Sequence, residues 1–223
     1  MVDAAEKPLV TITGISGYIG SHVALLFLKD GGYRVRGTVR DPSNQSKVAP
    51  IREAFGDKLF AQLELVRADL TDEASLASAV AGSTYVVHVA SVVGMFKTED
   101  EYVRPAVDGT LAVLRACKIN GIKRFVMTSS VASCCRTSEA DKPADGIYTE
   151  ATWSEILPAP TNPMDMYKKS KILAEKAAWD FQNDLPEAEK FEIVTIMPSY
   201  IMGPTLRKDW FASGHWVTTL MKG

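Results

Sequence analysis

The sequence predicts an α/β protein with a doubly wound, parallel sheet that carries helices on both faces. Three observations support this fold class. Short β-branched runs alternate with amphipathic segments from one end of the chain to the other. Several runs are apolar at nearly every position, as is typical of parallel strands buried on both faces. A glycine-rich turn joins the first predicted strand to the first predicted helix.

The predicted strands are short apolar runs that end at polar residues, glycine or proline. They cover residues 9–13, 34–39, 63–66, 85–90, 124–128 and 193–197. Because strands alternate with helices, right-handed crossovers restrict the sheet to a few topologies.

The predicted helices lie between these strands and carry recognisable end signals. Gly31 and Gly32 end the first helix, and Thr71 is the candidate N-cap of the helix after the third strand. Residues 133–163 form a long irregular segment after the fifth strand, at the sheet edge where such folds bind ligands. The helices are predicted at residues 17–30, 71–81, 102–120 and 166–183.

Composition and charge are those of an ordinary globular protein. The chain has 223 residues, of which 46% are hydrophobic and 23% charged, and its formal net charge is −2. This charge provides no basic footprint for nucleic acid, and no apolar run approaches the length that crosses a bilayer. Cys117, Cys134 and Cys135 lack the spacing of a metal site, so we expect reduced thiols, no bound metal and a cytoplasmic protein.

The turn after the first strand has three glycines in a G-x-x-G-x-x-G spacing. Glycine allows a tight turn and a close approach of the backbone to a pyrophosphate, and the following helix N-terminus favours phosphate groups. The turn therefore predicts the dinucleotide-binding loop of a Rossmann fold. The alternative is a purely structural strand–helix turn. The candidate cofactor-binding residues here are Gly14, Ser16, Gly17, Tyr18, Ile19 and Gly20.

The end of the second strand indicates which dinucleotide binds. NAD-binding folds commonly place an acidic residue there, whereas this chain has Arg40. A guanidinium group can bind the oxygens of a ribose 2′-phosphate with two parallel hydrogen bonds, and Lys47 could add charge. We therefore predict NADP(H). In the alternative interpretation, Arg40 is a solvated surface charge and Asp41 binds the ribose.

The candidate catalytic residues are Tyr167, Lys171 and Ser130. Tyrosine and lysine at positions i and i+4 share one face of a helix, and a neighbouring ammonium group favours the phenolate. Tyr167 can then act as an acid in reduction and a base in oxidation. A Tyr-x-x-x-Lys pattern also arises by chance, and a serine at the end of the fifth strand could instead cap a turn.

Together these residues resemble an extended short-chain dehydrogenase/reductase, and within that group the dihydroflavonol-reductase-like branch. The resemblance rests on the nucleotide turn, the second strand, the catalytic helix with its Leu173-Ala174-Glu175 continuation and the segments around the other strand ends. It implies a doubly wound domain, carbonyl reduction with NADPH, 2′-phosphate contacts from Arg40 and Lys47, and catalytic roles for Ser130, Tyr167 and Lys171. It further implies cofactor contacts from Asp69, Leu70, Val89, Ala90, Ser91, Ser129, Tyr167, Lys171 and Pro198.

Several positions depart from named members of that branch. Flavonoid reductases carry an asparagine where this chain has Cys134, and cinnamoyl-CoA reductases carry a longer signature around the tyrosine. The residues ahead of Tyr167 are more similar to those of microbial aldehyde reductases. An Asp-Glu pair after Thr128, which sugar-nucleotide dehydratases use, is missing from the sequence.

We expect residues 1–198 to form the dinucleotide-binding domain and residues 199–223 to begin a substrate-binding lobe that is otherwise largely absent from this chain. An incomplete lobe would let the chain bind NADPH but reduce carbonyls slowly, and would expose Trp210, Phe211 and Trp216. The favoured function is reduction of a small aldehyde or ketone, with the oligomeric state left open. The alternatives are a non-catalytic NADP-binding subunit of a larger assembly and a sugar-nucleotide epimerase.

Overall fold

The computed structural model describes residues 7–92, 98–135, 143–206 and 221. Six parallel strands form one sheet in the order β3-β2-β1-β4-β5-β6, which confirms the predicted doubly wound fold. The strands are β1 (Leu9–Thr13), β2 (Arg34–Val39), β3 (Leu63–Arg67), β4 (Tyr85–His88), β5 (Arg124–Thr128) and β6 (Glu192–Ile196).

Helices cover both faces of this sheet, as predicted. They are α1 (Tyr18–Asp30), α2 (Gln45–Phe60), α3 (Glu73–Val80), α4 (Asp100–Ile119) and α5 (Pro163–Asp184). One apolar cluster packs α1 and α2 against β1 and β2, and the other packs α3, α4 and α5 against β4 and β5. No helix of the described ranges is long and apolar enough to cross a membrane.

Helix α2 was not predicted from the sequence. Its N-terminus is capped by Asn44, whose side chain accepts a hydrogen bond from the Ser46 N–H. Pro50 lies inside the helix, and the backbone leaves the helical conformation at Gly56, where φ is 72°. Proline and glycine interrupt the sequence pattern of a helix, and the apolar contacts of Ile51 and Phe55 with the core compensate for them.

The predicted bounds of three strands differ from the structure, and β3 ends one residue later than predicted, at Arg67. β4 ends at His88 rather than at residue 90, because the N–H groups of Val89 and Ala90 donate to the Thr13 side chain instead of to a strand partner. β6 begins and ends one residue earlier than predicted. Its first residue, Glu192, pairs with Arg124 of β5.

All four predicted helix starts also differ from the structure; α1 begins one residue later and α4 two residues earlier than predicted. Thr71 is not the N-cap of α3, since its N–H and hydroxyl both donate to Asp69 Oδ1 and the cap is Asp72. Helix α5 begins at Pro163 rather than at residue 166. The Asn162 side chain caps it by accepting the Asp165 N–H at 3.0 Å, so residue 167 lies beyond the first turn and not at the helix start.

The predicted irregular segment and lobe are described only in part. Residues 143–162 contain no helix or strand, and the Ser154 N–H attaches them to the Ser133 carbonyl at 2.8 Å. Of residues 199–223, the described ones are 199–206 and 221. Trp210, Phe211 and Trp216 lie outside the described residues, so their predicted exposure remains a prediction.

Candidate active site

A crevice opens where the strand order reverses between β1 and β4, at the carboxyl ends of the strands. Gly14 follows β1 with a φ of 72°, and a Cβ atom placed on it would lie 2.9 Å from Ala90 Cα. The turn after β1 therefore contacts the segment after β4 backbone against backbone. Val89, Ala90 and Ser91, three predicted cofactor contacts, line this crevice as half-buried residues.

The glycine turn is compact and leaves the start of α1 without a side-chain cap. The Gly17 N–H donates to the Gly14 carbonyl at 3.0 Å, and a Cβ atom on Gly20 would overlap that same carbonyl oxygen. Gly17 occupies the N-cap position, where a glycine has no side chain to bind the first N–H groups of the helix. Ser16 and Ile19 lie half-buried in the turn and the first helical turn.

The turn is attached to β2 by a residue that the sequence analysis did not select. Thr38 is buried; its hydroxyl accepts the Gly14 N–H and its carbonyl accepts the Ile15 N–H, both at 3.1 Å. These two bonds fix the turn above the neighbouring strand.

Residues 203–204 lie against the first turn of α1. A Cβ atom on Gly203 would lie 3.1 Å from the Tyr18 hydroxyl, and His22 Nε2 donates to the Pro204 carbonyl at 3.0 Å. The Tyr18 and His22 rings meet edge to face. The beginning of the predicted lobe thus passes beside the candidate phosphate site.

Arg40 and Asp69 lie near each other at the ends of β2 and β3. Hydrogen bonds from Thr71 are the main cause that lowers the pKa of Asp69, and the charge of Arg40 lowers it further. Lys47 is exposed in the first turn of α2, and no contact within the described ranges joins it to Arg40. Asp41 Oδ1, the alternative ribose ligand, accepts both the N–H and the hydroxyl of Ser43.

Leu70 packs against helix α4. A Cβ atom on Gly109 would lie 2.8 Å from Leu70 Cδ2, so the absence of a side chain at Gly109 makes room for this leucine. Leu70 is therefore held next to the predicted adenine site by its contact with helix α4.

The floor of the crevice contains a hydrogen-bond chain centred on His88. Thr13 Oγ1 accepts the N–H groups of Val89 and Ala90, each at 3.0 Å, which uses both of its lone pairs. The hydroxyl proton of Thr13 must then go to His88 Nδ1, also at 3.0 Å. The His88 proton consequently lies on Nε2, which faces Thr110 Oγ1 at 3.4 Å.

His88 is uncharged at neutral pH. Burial, and to a smaller extent the positive charge of Lys171, lowers the pKa of His88 to about 3. The ring also stacks on Phe125 of β5, with centroids 5.9 Å apart. Because the charge of Lys171 lowers the pKa of His88, the floor of the crevice is coupled electrostatically to helix α5.

The three candidate catalytic residues come together beside this crevice. Burial raises the pKa of the Tyr167 phenol, and hydrogen bonding by the neighbouring Ser130 side chain opposes this increase. Lys171 follows one helical turn later, is only 4% exposed and donates to the Thr128 carbonyl at 2.9 Å. Burial lowers the pKa of Lys171 to about 8, and the charge of Glu175 opposes this decrease.

Ser129 and Pro198 lie next to these residues. The Ser129 hydroxyl is directed toward helix α5, where it donates to Glu175 Oε2, and it also contacts the Ser133 hydroxyl at 2.8 Å. The Pro198 carbonyl accepts the Val131 N–H at 3.1 Å, immediately after Ser130. Pro198 therefore anchors the turn that carries the candidate catalytic serine.

A metal centre is not found in the part of the chain that the structure describes, where no three His, Cys, Asp or Glu side chains are grouped to hold an ion. Cys117 and Cys134 are buried, Cys135 is partly exposed, and all three are free thiols.

The candidate site and all of the sheet except its first residue fall within one family match. Residues 10–222 match the NAD dependent epimerase/dehydratase family. The chain belongs to this family. This match and the relatives described below confirm the resemblance to extended short-chain dehydrogenases/reductases of the dihydroflavonol-reductase-like branch.

The curated members of the family that match this chain include plant reductases. Tetraketide alpha-pyrone reductase 1 of Arabidopsis thaliana is 38% identical over 222 residues, which cover 97% of this chain and 64% of that protein. Dihydroflavonol 4-reductase of Hordeum vulgare is 38% identical over 210 residues, which cover 92% of this chain and 56% of that protein. The chain thus spans about three fifths of the length of these relatives.

Solved structures of the family have the same fold. Gre2 from Candida albicans, crystallised with NADPH, superposes with a TM-score of 0.80 at 31% identity. The match covers 96% of this chain and 66% of the Gre2 chain. Vestitone reductase from alfalfa (Medicago sativa) gives a TM-score of 0.75 at 28% identity, with 96% and 64% of the two chains covered.

Five residues that support the site were not predicted as site residues, although Glu175 lies in the segment that carries the resemblance. All are polar residues at the end of a strand or on the buried face of a helix. A polar residue next to apolar ones in the sequence is the signal that could have indicated them. They are Thr13, Thr38, His88, Ser133 and Glu175.

Proposed function

We propose that this protein is a reductase that uses NADPH to convert the carbonyl group of a small aldehyde or ketone into an alcohol. The observation that carries the proposal is the cluster of Tyr167, Ser130 and Lys171 beside the crevice of a dinucleotide-binding sheet. The matched relatives are reductases, and Gre2 was crystallised with NADPH, which supports the same class for this chain.

The chain's residues fit a dinucleotide with a 2′-phosphate. A pyrophosphate needs close access to backbone N–H groups, and the glycine turn with its uncapped helix N-terminus would provide it. Arg40 is exposed at the end of β2, where it would hold the 2′-phosphate, and Asp69 and Leu70 would flank the adenine. Ala90 and Pro198 lie on the path toward the catalytic residues, where the nicotinamide would bind.

The bound cofactor would supply the hydride for the carbonyl carbon. Tyr167 would donate its phenolic proton to the carbonyl oxygen, and burial favours the protonated phenol that this step needs. The Ser130 hydroxyl would orient the same oxygen. The ammonium group of Lys171, held at the Thr128 carbonyl, would stabilise the phenolate left behind.

We further propose the division of the chain that the sequence predicts. Residues 1–198 would bind the cofactor, and residues 199–223 would begin the substrate lobe. Contacts of Gly203 and Pro204 with the first turn of α1 support this division, since the start of that lobe would then lie beside the cofactor phosphates. The attachment of Ser154 to Ser133 would hold the opposite wall of the substrate pocket.

The proposal is tested by turnover of a panel of aldehydes and ketones with NADPH and with NADH. We expect NADPH to be consumed one-to-one with alcohol formation. Tight NADPH binding without turnover of any carbonyl would instead favour a non-catalytic subunit. Epimerisation of a sugar nucleotide with bound NAD would overturn the proposal.

Cofactor preference should depend on Arg40. We expect Arg40→Ala to raise the dissociation constant for NADPH about tenfold, or about 1.4 kcal/mol, and to leave that for NADH nearly unchanged. The reason is that the guanidinium group would contact only the additional phosphate. Calorimetric titration with both cofactors measures the difference.

The matched control is Arg34→Ala, which removes an exposed arginine at the opposite end of the same strand. It should change neither dissociation constant. Equal weakening of NADPH and NADH binding in Arg40→Ala would show that Arg40 does not select the 2′-phosphate.

A further inference from the structure

We propose that Glu175 is a positioning residue for the catalytic group. Its buried carboxyl group joins helix α5 to the end of β5 and keeps the Lys171 side chain charged beside Tyr167. The inference rests on the proposed function, because it assigns Glu175 a role in that same site.

The geometry begins with two neighbouring residues of one strand end. The Thr128 carbonyl accepts a hydrogen bond from the Lys171 ammonium group at 2.9 Å, and the Ser129 hydroxyl donates one to Glu175 Oε2. Lys171 and Glu175 are one turn apart on the same helix and are 4% and 3% exposed. The end of β5 is therefore hydrogen-bonded to helix α5 at two successive turns.

The same network reaches the third catalytic residue. The Ser133 hydroxyl contacts Ser129 Oγ at 2.8 Å and donates to the Ser130 carbonyl at 2.9 Å. Ser133 ends the short 3₁₀ helix Val131–Ser133, whose N-cap is Ser130. Glu175 thus sits where the segment bearing Ser130 meets the helix bearing Tyr167.

Electrostatics give Glu175 a role beyond holding these segments together. Burying a charge is costly unless an opposite charge lies nearby, and Glu175 opposes the decrease in the pKa of Lys171 that burial causes. On β4, His88 faces Lys171 as a neutral ring, and α4 faces His88 with the Thr110 hydroxyl. Burial raises the pKa of the Cys134 thiol, and the negative charge of Glu175 raises it further.

The decisive variant is Glu175→Gln, which keeps the shape and an oxygen acceptor for Ser129 but removes the charge. Without the negative charge, the pKa of Lys171 should fall by about one unit from its value near 8. Carbon NMR of the lysine side chains measures this titration without any turnover, and Lys171→Arg assigns the resonance. In the reductase assay, the alkaline limb of the kcat profile should move to lower pH by the same amount, with an unchanged dissociation constant for NADPH.

Two further variants complete the experiment. Glu192→Gln removes a carboxylate at the other end of β5 and β6 and should move neither the Lys171 titration nor the kcat profile. Glu175→Met is a second charge-free variant, which also removes the acceptor of Ser129 and should be less stable than the wild type because Lys171 loses its opposite charge. It should lower the pKa of Lys171 as Glu175→Gln does.

The outcomes separate this inference from the proposed function. An unmoved Lys171 titration in either folded variant would overturn the role of Glu175, whether or not the protein reduces carbonyls. Failure of both charge-free variants to fold would make Glu175 a structural residue and would also overturn the inference. A shifted titration in a protein that turns over no carbonyl would support the electrostatic role and reject the reductase function.

Discussion

Replacement of Tyr167 by phenylalanine should lower kcat by roughly 10²–10⁴-fold, the scale on which a general acid usually contributes. In the proposed mechanism the phenol would be the proton donor, and phenylalanine keeps the ring while removing that proton. The ring would still fill its half-buried position, so folding and the dissociation constant for NADPH should remain close to those of the wild type. Steady-state kinetics and calorimetric titration on the same preparations test both halves of the prediction.

Tyr33→Phe is the control for this variant. Tyr33 contacts Phe27 and Tyr85 at the amino ends of the strands, opposite the candidate site, so loss of its hydroxyl should leave turnover unchanged. If Tyr167→Phe retained wild-type kcat, the proton would have to come from another group and Tyr167 would be removed from the mechanism.

The fold was predictable from local patterns wherever an element has clear ends. The bounds of β1, β2 and β5 agree with the sequence prediction residue for residue. β1 is buried throughout, and β2 and β5 each begin at an exposed arginine and continue in buried or half-buried residues. Helix α2 could not be found in this way, because Pro50 and Gly56 break its pattern and only contacts with the core stabilise it.

The candidate site was predictable to the extent that its chemistry lies in short motifs. The glycine turn and the Tyr167–Lys171 pair each lie within a few consecutive residues, so spacing alone indicates them. The carboxylate of Glu175 and the ring of His88 acquire their partners from other strands and turns. The partner of His88 is Thr13, 75 residues earlier in the chain, and that of Glu175 is Ser129, 46 residues earlier. Such pairs depend on strand order, which a linear pattern does not contain.

The buried polar residues have a common physical reason. A parallel sheet ends its strands with unpaired backbone groups, and buried N–H groups must find acceptors. Thr13 and Thr38 supply those acceptors at the ends of β1 and β2, next to the glycine turn. The crevice is therefore shaped by side chains that would not themselves touch a bound dinucleotide.

Because of that shape, a single methyl group at Gly14 should strongly weaken cofactor binding. Alanine at residue 14 would carry its Cβ atom to 2.9 Å from Ala90 Cα and 3.1 Å from Ala90 N, distances that ordinary contacts do not reach. Backbone rather than a flexible side chain would have to move. We expect the segment after β4 to be pushed away from the turn and the dissociation constant for NADPH to rise at least 100-fold, or about 2.8 kcal/mol.

Gly31→Ala separates this steric effect from backbone strain. Gly14 and Gly31 have nearly the same φ, 72° and 73°, but a Cβ atom on Gly31 would meet nothing within 4 Å. Both variants should lose roughly 1–2 kcal/mol of unfolding free energy through the left-handed backbone conformation. Only Gly14→Ala should also lose NADPH affinity, because only there does the added methyl group disturb the crevice. Urea unfolding and calorimetric titration measure the two quantities separately, and equal NADPH affinities for the two variants would show that the cofactor does not depend on the contact between Gly14 and Ala90.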